Sequence, residues 1–270
     1  MQSLSYLTAR IFFMNRSTPI GIFDSGVGGL SVFSKLLDIL PRESYMYFAD
    51  SKNAPYGSKS PGDVMQYAED ISHEMLQNDV KMIVVACNTA TGIAIHHLRK
   101  QFDIPFVGME PAIKPAARQS KTGKIGVLAT ANTFEASHFL ETRNRFANHV
   151  EVLMRVGEGL VELIEQGKSE SLEARELLKN YLEPMIEASV DQLVLGCTHY
   201  PFLIPLIREI IPESITIHDP APAVAMQVKR VLGEMGLLNT MSVEPEYSFS
   251  SSGDDRVLQE MARVIIESKA

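Results

Sequence analysis

Met82-Ile83-Val84-Val85-Ala86-Cys87-Asn88-Thr89 is a fully apolar run that stops at a cysteine and passes into a helical pattern. Much later, Val190 to Gly196 does the same and ends in Cys197-Thr198-His199-Tyr200-Pro201. Short continuous apolar runs bounded by turn residues predict strands buried on both faces, the environment of a parallel sheet covered by helices. Working outward, Ile20 to Phe23 reads as another such strand. It ends in Asp24-Ser25-Gly26-Val27-Gly28-Gly29 and opens a helix carrying Leu30, Val32, Phe33, Leu36, Leu37 and Leu40. Tyr45 to Phe48 is the next strand, followed by a turn-rich loop from Asp50 to Ser60. Ser60-Pro61 with Asp63 marks a helix start, because a serine caps, proline suits the first position and an acid suits the first turn. Lys124 to Ala129 is a strand ending in Thr130-Ala131-Asn132, and helices are expected at Gly159 to Gln166 and Leu172 to Ala188. Strands alternating with helices predict an α/β fold with mostly parallel sheets.

The pattern occurs twice. Asp24 precedes Cys87 by 63 residues, and Thr130 precedes Cys197 by 67. Two related, pseudo-symmetric α/β domains are expected, with the active site in the cleft between them. The first spans 19–114 and takes back 224–270, whose last part, Glu244 to Ala270, reads as a strand and a helix. The second spans 115–223. Residues 1–18 read as an extension, with Met14 an alternative start of translation. Tyr6 to Met14 is mildly apolar but broken by Arg10, without the basic leader and small-residue cleavage pattern of a signal peptide. The default compartment is therefore the cytoplasm, and no run reaches the length of a membrane helix.

Apolar residues make up 45% of the 270, enough to bury a sizeable core. The net charge of −8 argues against nucleic-acid binding, whose footprint is a positive field, although a pocket can be locally positive. With two cysteines there is no disulfide framework and no four-cysteine metal site.

One cysteine alone reads as a small buried hydrophobe. Both cysteines at matched strand ends read as a pair of functional thiols, since ligands bind at the carboxyl ends of strands in open α/β sheets. A helix opening just after each is expected to lower its pKa and favour thiolate. Two facing thiols suit proton transfer at a carbon from either side, one removing a proton and the other delivering one. Thiolates are moderate bases, so an adjacent carboxylate or imidazole helps; Asp24 and His199 sit in suitable loops. Taken singly, Asp24 also reads as a helix cap and His199 as a surface histidine. The glycine-rich turn after Asp24 can cradle a carboxylate or phosphate on its N–H groups, but it lacks the residues of a P-loop or dinucleotide fingerprint. Ser25, Asn88, Thr89, Thr130 and Thr198 add short polar groups suited to the carboxylate and ammonium of an amino acid.

Four blocks then stand out in order: Phe23 to Ser31, Ala54-Pro55-Tyr56-Gly57, Ala86-Cys87-Asn88-Thr89-Ala90 and Leu195 to Pro201. Together they resemble the signature blocks of the glutamate racemases, and the similarity runs from about Pro19 to the end. The resemblance implies cofactor-independent interconversion of L- and D-glutamate, supplying D-glutamate to peptidoglycan. It implies Cys87 as the base on one face, assisted by Asp24, and Cys197 as the base on the other, assisted by His199. Ser25, Tyr56, Gly57, Asn88, Thr89 and Thr198 are implied to hold the substrate, with supporting acids at Asp50 and Glu165. No metal or cofactor is implied. Gly157 to Leu163 lacks the Cys-Pro of many members and is closer to the enterobacterial type, some of which respond to a peptidoglycan precursor. A homodimer is the expected assembly.

Two rival readings stay open at this stage. Cysteine-dependent acyl transfer uses one thiol and a histidine, leaving the other thiol idle. A two-domain amino-acid sensor binds its ligand without exchanging the α-proton.

Overall fold

The computed structural model describes residues 15–241 and 244–269. The alternative start at Met14 lies outside the described residues. Strands alternate with helices along the chain, as expected from the apolar runs. Nine strands are present among the described residues: β1 Ile20–Asp24, β2 Tyr45–Ala49, β3 Met82–Val85, β4 Phe106–Gly108, β5 Lys124–Ala129, β6 Glu151–Val156, β7 Gln192–Gly196, β8 Thr216–His218 and β9 Tyr247–Ser251. They form two sheets, ordered β4-β3-β1-β2-β9 and β6-β5-β7-β8. Every strand pair in both is parallel.

Read in the opposite direction, the second sheet is β8-β7-β5-β6, which matches β4-β3-β1-β2 strand for strand. The correspondence extends to side chains. A Cβ at Gly21 on β1 would meet Met75 Sδ at 2.8 Å and Val80 Cγ1 at 3.3 Å. A Cβ at Gly126 on β5 would meet Met185 Sδ at 2.6 Å and Val190 Cγ1 at 3.3 Å. In each half a methionine from the covering helix and a valine from the loop before the cysteine strand press onto a strand glycine.

The four central strands β1, β3, β5 and β7 are almost wholly buried, which explains their unbroken apolar character. Helix Pro61–Gln77 begins at the predicted cap, with Ser60 Oγ accepting from the Asp63 N–H at 3.1 Å. The C-terminal segment returns to the first sheet, where β9 extends it beside β2 and is followed by helix Arg256–Glu267. Helix Ala221–Glu234 packs on helix Leu30–Ile39, so the return to the first half begins before β9.

Residues 15–18 are docked onto the first half. Lys81, fully buried before β3, donates to the Arg16 carbonyl at 2.6 Å, to Leu237 O at 3.1 Å and to Glu43 Oε2 at 2.5 Å. Burial lowers the proton affinity of this lysine, and the Glu43 carboxylate opposes that. Glu43 Oε1 also accepts from the Asn239 N–H at 2.8 Å, so one ion pair ties together four distant stretches of chain, around residues 16, 43, 81 and 237–239.

Candidate active site

β1, β3, β5 and β7 end at Asp24, just before Cys87, just before Thr130 and just before Cys197. Pseudo-symmetry turns these carboxyl ends toward one cavity. It is lined by Ser25, Pro55, Tyr56, Gly57, Cys87, Asn88, Thr89, Thr130, Val161, Cys197, Thr198 and His199. Among the described residues, no lysine or arginine lines it. Of the residues expected at the site, all line this cavity except the three acids Asp24, Asp50 and Glu165. Both cysteines are free thiols and buried.

Cys87 is the N-cap residue of helix Asn88–Gln101, and its sulfur accepts from the Ala90 N–H at 3.4 Å. Ser25 Oγ lies 3.9 Å from the same sulfur. The expected lowering of this thiol's pKa is not observed. The helix N–H does favour thiolate, but burial and the negative charge of Asp24 outweigh it and push the thiol well above its ordinary value. Asp24 is itself fully buried, and burial raises its pKa; Glu165 adds to the rise, while His199, the Gly29 N–H and Cys87 oppose it. Its Oδ2 accepts from the Gly29 N–H at 2.9 Å and its Oδ1 from Thr198 Oγ1 at 3.4 Å. Asp24 thus touches the helix start, as a capping residue does, and also faces the thiol.

The second thiol has a different companion, and the predicted helix directly after it is absent. A 3₁₀ turn, Tyr200–Leu203, follows instead and leads into helix Ile204–Ile210. His199 Nδ1 lies 3.7 Å from Cys197 Sγ, and its Nε2 lies 2.5 Å from Glu165 Oε1. His199 is buried, not a surface histidine. Burial alone would lower its pKa, but Cys197, Glu165 and Asp24 together raise it well above the ordinary value. The imidazolium is therefore the form this pocket favours, held between a sulfur and a carboxylate.

In the glycine-rich turn, two backbone N–H groups bind the protein's own carboxylates. Gly29 donates to Asp24, and Val27 donates to Glu165 Oε1 at 2.7 Å. Glycine is required here by close approach: a Cβ at Gly26 would collide with the Glu165 carboxylate and one at Gly28 with the His199 ring.

Asp50 does not line the cavity. It stands behind Tyr56, whose hydroxyl donates to Asp50 Oδ2 at 2.6 Å, and it also accepts from Ser252 Oγ at 2.6 Å. Its structural place is to anchor the Pro55–Gly57 loop. Three residues were not singled out from the sequence. Asn132 Nδ2 reaches across the cleft to the carbonyls of Tyr56 (2.9 Å) and Lys59 (2.8 Å). Ser31 Oγ donates to Thr198 O at 2.9 Å, and Val161 supplies an apolar wall. With Thr89 and Thr130 hydroxyls 3.0 Å apart, these contacts close the cleft. The remaining cavity measures about 10 Å³, room for about one water. Asn88 Oδ1 is buried there without a hydrogen-bond partner.

Chemically, the arrangement offers two thiols entering one cavity from opposite halves, one beside a carboxyl and one beside an imidazolium. Comparisons with known proteins agree with that chemistry. A model of the Asp/Glu/Hydantoin racemase family matches residues 20–228. The glutamate racemase of Ectopseudomonas mendocina is 43% identical over 259 residues, covering 95% of this chain and 98% of that protein. The crystal structure of Escherichia coli glutamate racemase with L-glutamate and the activator UDP-MurNAc-Ala has a TM-score of 0.82 at 32% identity, with 94% and 96% of the two chains covered. That of the Francisella tularensis enzyme with D-glutamate has a TM-score of 0.80 at 28% identity, with 93% and 94% covered. On both the matched sequence and the paired thiols of its cleft, the chain belongs to the Asp/Glu/Hydantoin racemase family.

Proposed function

We propose that this racemase interconverts L- and D-glutamate by a two-base mechanism without a cofactor, and that it supplies D-glutamate for peptidoglycan in the cytoplasm. The observation that carries the reading is the pair of buried thiols on one cavity, each with its own acid–base companion. One sulfur removes the α-proton as thiolate. The other, as thiol, delivers a proton to the opposite face, and the roles reverse for the other enantiomer. Asp24 serves Cys87, and His199, backed by Glu165, serves Cys197.

The charge balance of the closed site supports an amino-acid substrate. The carboxyls of Asp24 and Glu165 adjoin the site beside one imidazolium, and no lysine or arginine among the described residues lines the cavity, so an α-ammonium is accommodated there. Asn88 Oδ1 is a buried acceptor in need of a donor, and burial without one costs about 1–3 kcal/mol. Ser25, Thr89 and Thr198 hydroxyls and the Tyr56-Gly57 backbone hold the carboxylates without a basic side chain that would pin one thiol in its charged form. A cavity of about 10 Å³ excludes glutamate, so entry requires the Thr89–Thr130 and Asn132 contacts to open.

A response to a peptidoglycan precursor, and a homodimeric assembly, belong to the same reading. Support for the first is the E. coli structure with its activator and a separate cavity of about 400 Å³ lined by His96, Arg99, Glu110, His138 and Arg230. The two guanidinium groups suit a diphosphate. The direct test of the reading is circular dichroism of L-glutamate incubated with pure protein and no added cofactor. The signal should decay to zero; a persistent signal, or decay that requires pyridoxal phosphate or is stopped by EDTA, contradicts it.

A further inference from the structure

The turn from Ser25 to Gly29 touches both proton-transfer assemblies, through Gly29 to Asp24 and through Val27 to Glu165. What holds the turn itself is a residue outside the cavity. Tyr47 on β2 is fully buried, and its hydroxyl donates to the Gly26 carbonyl at 2.8 Å. That carbonyl shares its peptide unit with the Val27 N–H that binds Glu165, and the Gly29 N–H that binds Asp24 follows two residues on. Burial, reinforced by the nearby charges of Asp24, Glu165 and Cys87, drives the phenol well above its ordinary pKa, so it stays a donor at every working pH. The second half has a bond of the same kind at a different place in the fold: the hydroxyl of Tyr200, after β7, donates to the carbonyl of Gly157, after β6, at 3.1 Å. There the glycine N–H goes to the Ala129 carbonyl at 3.0 Å, not to a site carboxylate. The two tyrosines make the same kind of bond, but only one of them anchors a turn wired to the thiols' companions.

We propose that Tyr47 is a positioning residue for both directions of the reaction, fixing Gly26 and thereby the N–H groups that hold Asp24 and Glu165 in place. This rests on the racemase reading above. Removing the hydroxyl frees the turn, loosens Asp24 behind Cys87 and loosens Glu165 behind His199 together. No contact with substrate is involved, so KM changes little.

The experiment compares Tyr47→Phe with Tyr200→Phe, each losing one buried hydroxyl and keeping the ring. Both should fold, as judged by circular dichroism and melting temperature. Tyr47→Phe should lose about tenfold in kcat from L- and from D-glutamate alike, with KM within about twofold, because small displacements of acid–base groups are costly. Its high-pH limb of kcat should also move to lower pH, since His199 retains its proton less firmly once Glu165 is displaced. Tyr200→Phe should keep kcat within about twofold and an unchanged pH profile. A folded Tyr47→Phe with unchanged kcat and pH profile, or with a loss confined to one enantiomer, overturns the proposal. So does an equal loss in Tyr200→Phe. Wild-type protein is assayed alongside: if it fails to racemise glutamate, the reading beneath the proposal falls, whereas an active wild type beside an unaffected Tyr47→Phe overturns the proposal alone.

Discussion

The two halves of the cleft share a fold and differ in their acid–base equipment. In the first half, Cys87 caps a helix, sits beside a buried carboxyl and is held in its thiol form by burial and by Asp24. In the second, Cys197 has no helix directly behind it and sits beside an imidazolium held by Glu165. The two sulfurs thus face different partners, a buried carboxyl on one side and an imidazolium 3.7 Å away on the other. A racemase uses two distinct acid–base partners because each direction needs one base and one acid. The matched strand order is the shared scaffold, and Asp24 against Ala129, and Asn88-Thr89 against Thr198-His199, are where the two halves differ in chemistry.

The largest test of the comparison is removal of either sulfur. Cys87→Ala and Cys197→Ala should each lower racemisation in both directions by at least about a thousandfold, since each direction needs one base and one acid. A single-cysteine variant racemising near the parental rate would break the comparison outright, and loss of both thiols should cost little beyond loss of one.

Next in size is Glu165→Gln. The neutral amide cannot support the imidazolium, so kcat should fall by about ten- to a hundredfold and the high-pH limb should move to lower pH. The sign follows from the raised pKa of His199: its proton is lost only at elevated pH in the parent and earlier once the carboxylate charge is gone. A pH profile identical to the parent would show that Glu165 does not act through His199.

The two directions should also differ in pH dependence. Cys87 has a raised pKa, so the direction that starts from it as base gains rate as pH rises. Rates of α-proton exchange from each enantiomer, followed in D2O against pH, measure this. Coincident profiles would remove the asymmetry.

The smallest effects are on binding. Thr89→Val and Thr198→Val should each weaken glutamate binding by about 1–3 kcal/mol, the range for a hydrogen bond to a charged group. Unchanged KM in both would indicate that the carboxylates are held elsewhere.

The central strands were legible because they are buried on both faces and therefore continuously apolar. β4 and β8 have three residues each, too few to show a period. β6, Glu-Val-Leu-Met-Arg-Val, is a half-exposed edge strand with charges that disguise it. Cys87, Cys197, Asp24 and His199 were legible because they stand at strand ends in a repeated pattern. Glu165 was not legible from its own surroundings: on an amphipathic helix it looks like any surface acid, and only the resemblance pointed to it. Tyr47 sits in an aromatic strand and reads as core, because periodicity shows where a ring is buried and not what its hydroxyl meets. The glycine turn reads from sequence as a cradle for a carboxylate or phosphate, but sequence does not show that two of its N–H groups hold carboxylates of the chain itself. The thiol of Cys87 was misjudged because the effect of a helix start is local, whereas burial and the opposing carboxyl arise only in the assembled cleft.

The central claim is that the two sulfurs serve opposite faces of one carbon. The most direct measurement uses glutamate analogues with a leaving group at the β-carbon, where proton removal alone completes an elimination and no second thiol is needed. Cys87→Ala and Cys197→Ala are each assayed against the two enantiomers of such an analogue. The structure predicts that each variant eliminates from one enantiomer only, and that the two variants choose opposite ones. Both variants eliminating from the same enantiomer would place both thiols on one face and contradict the account.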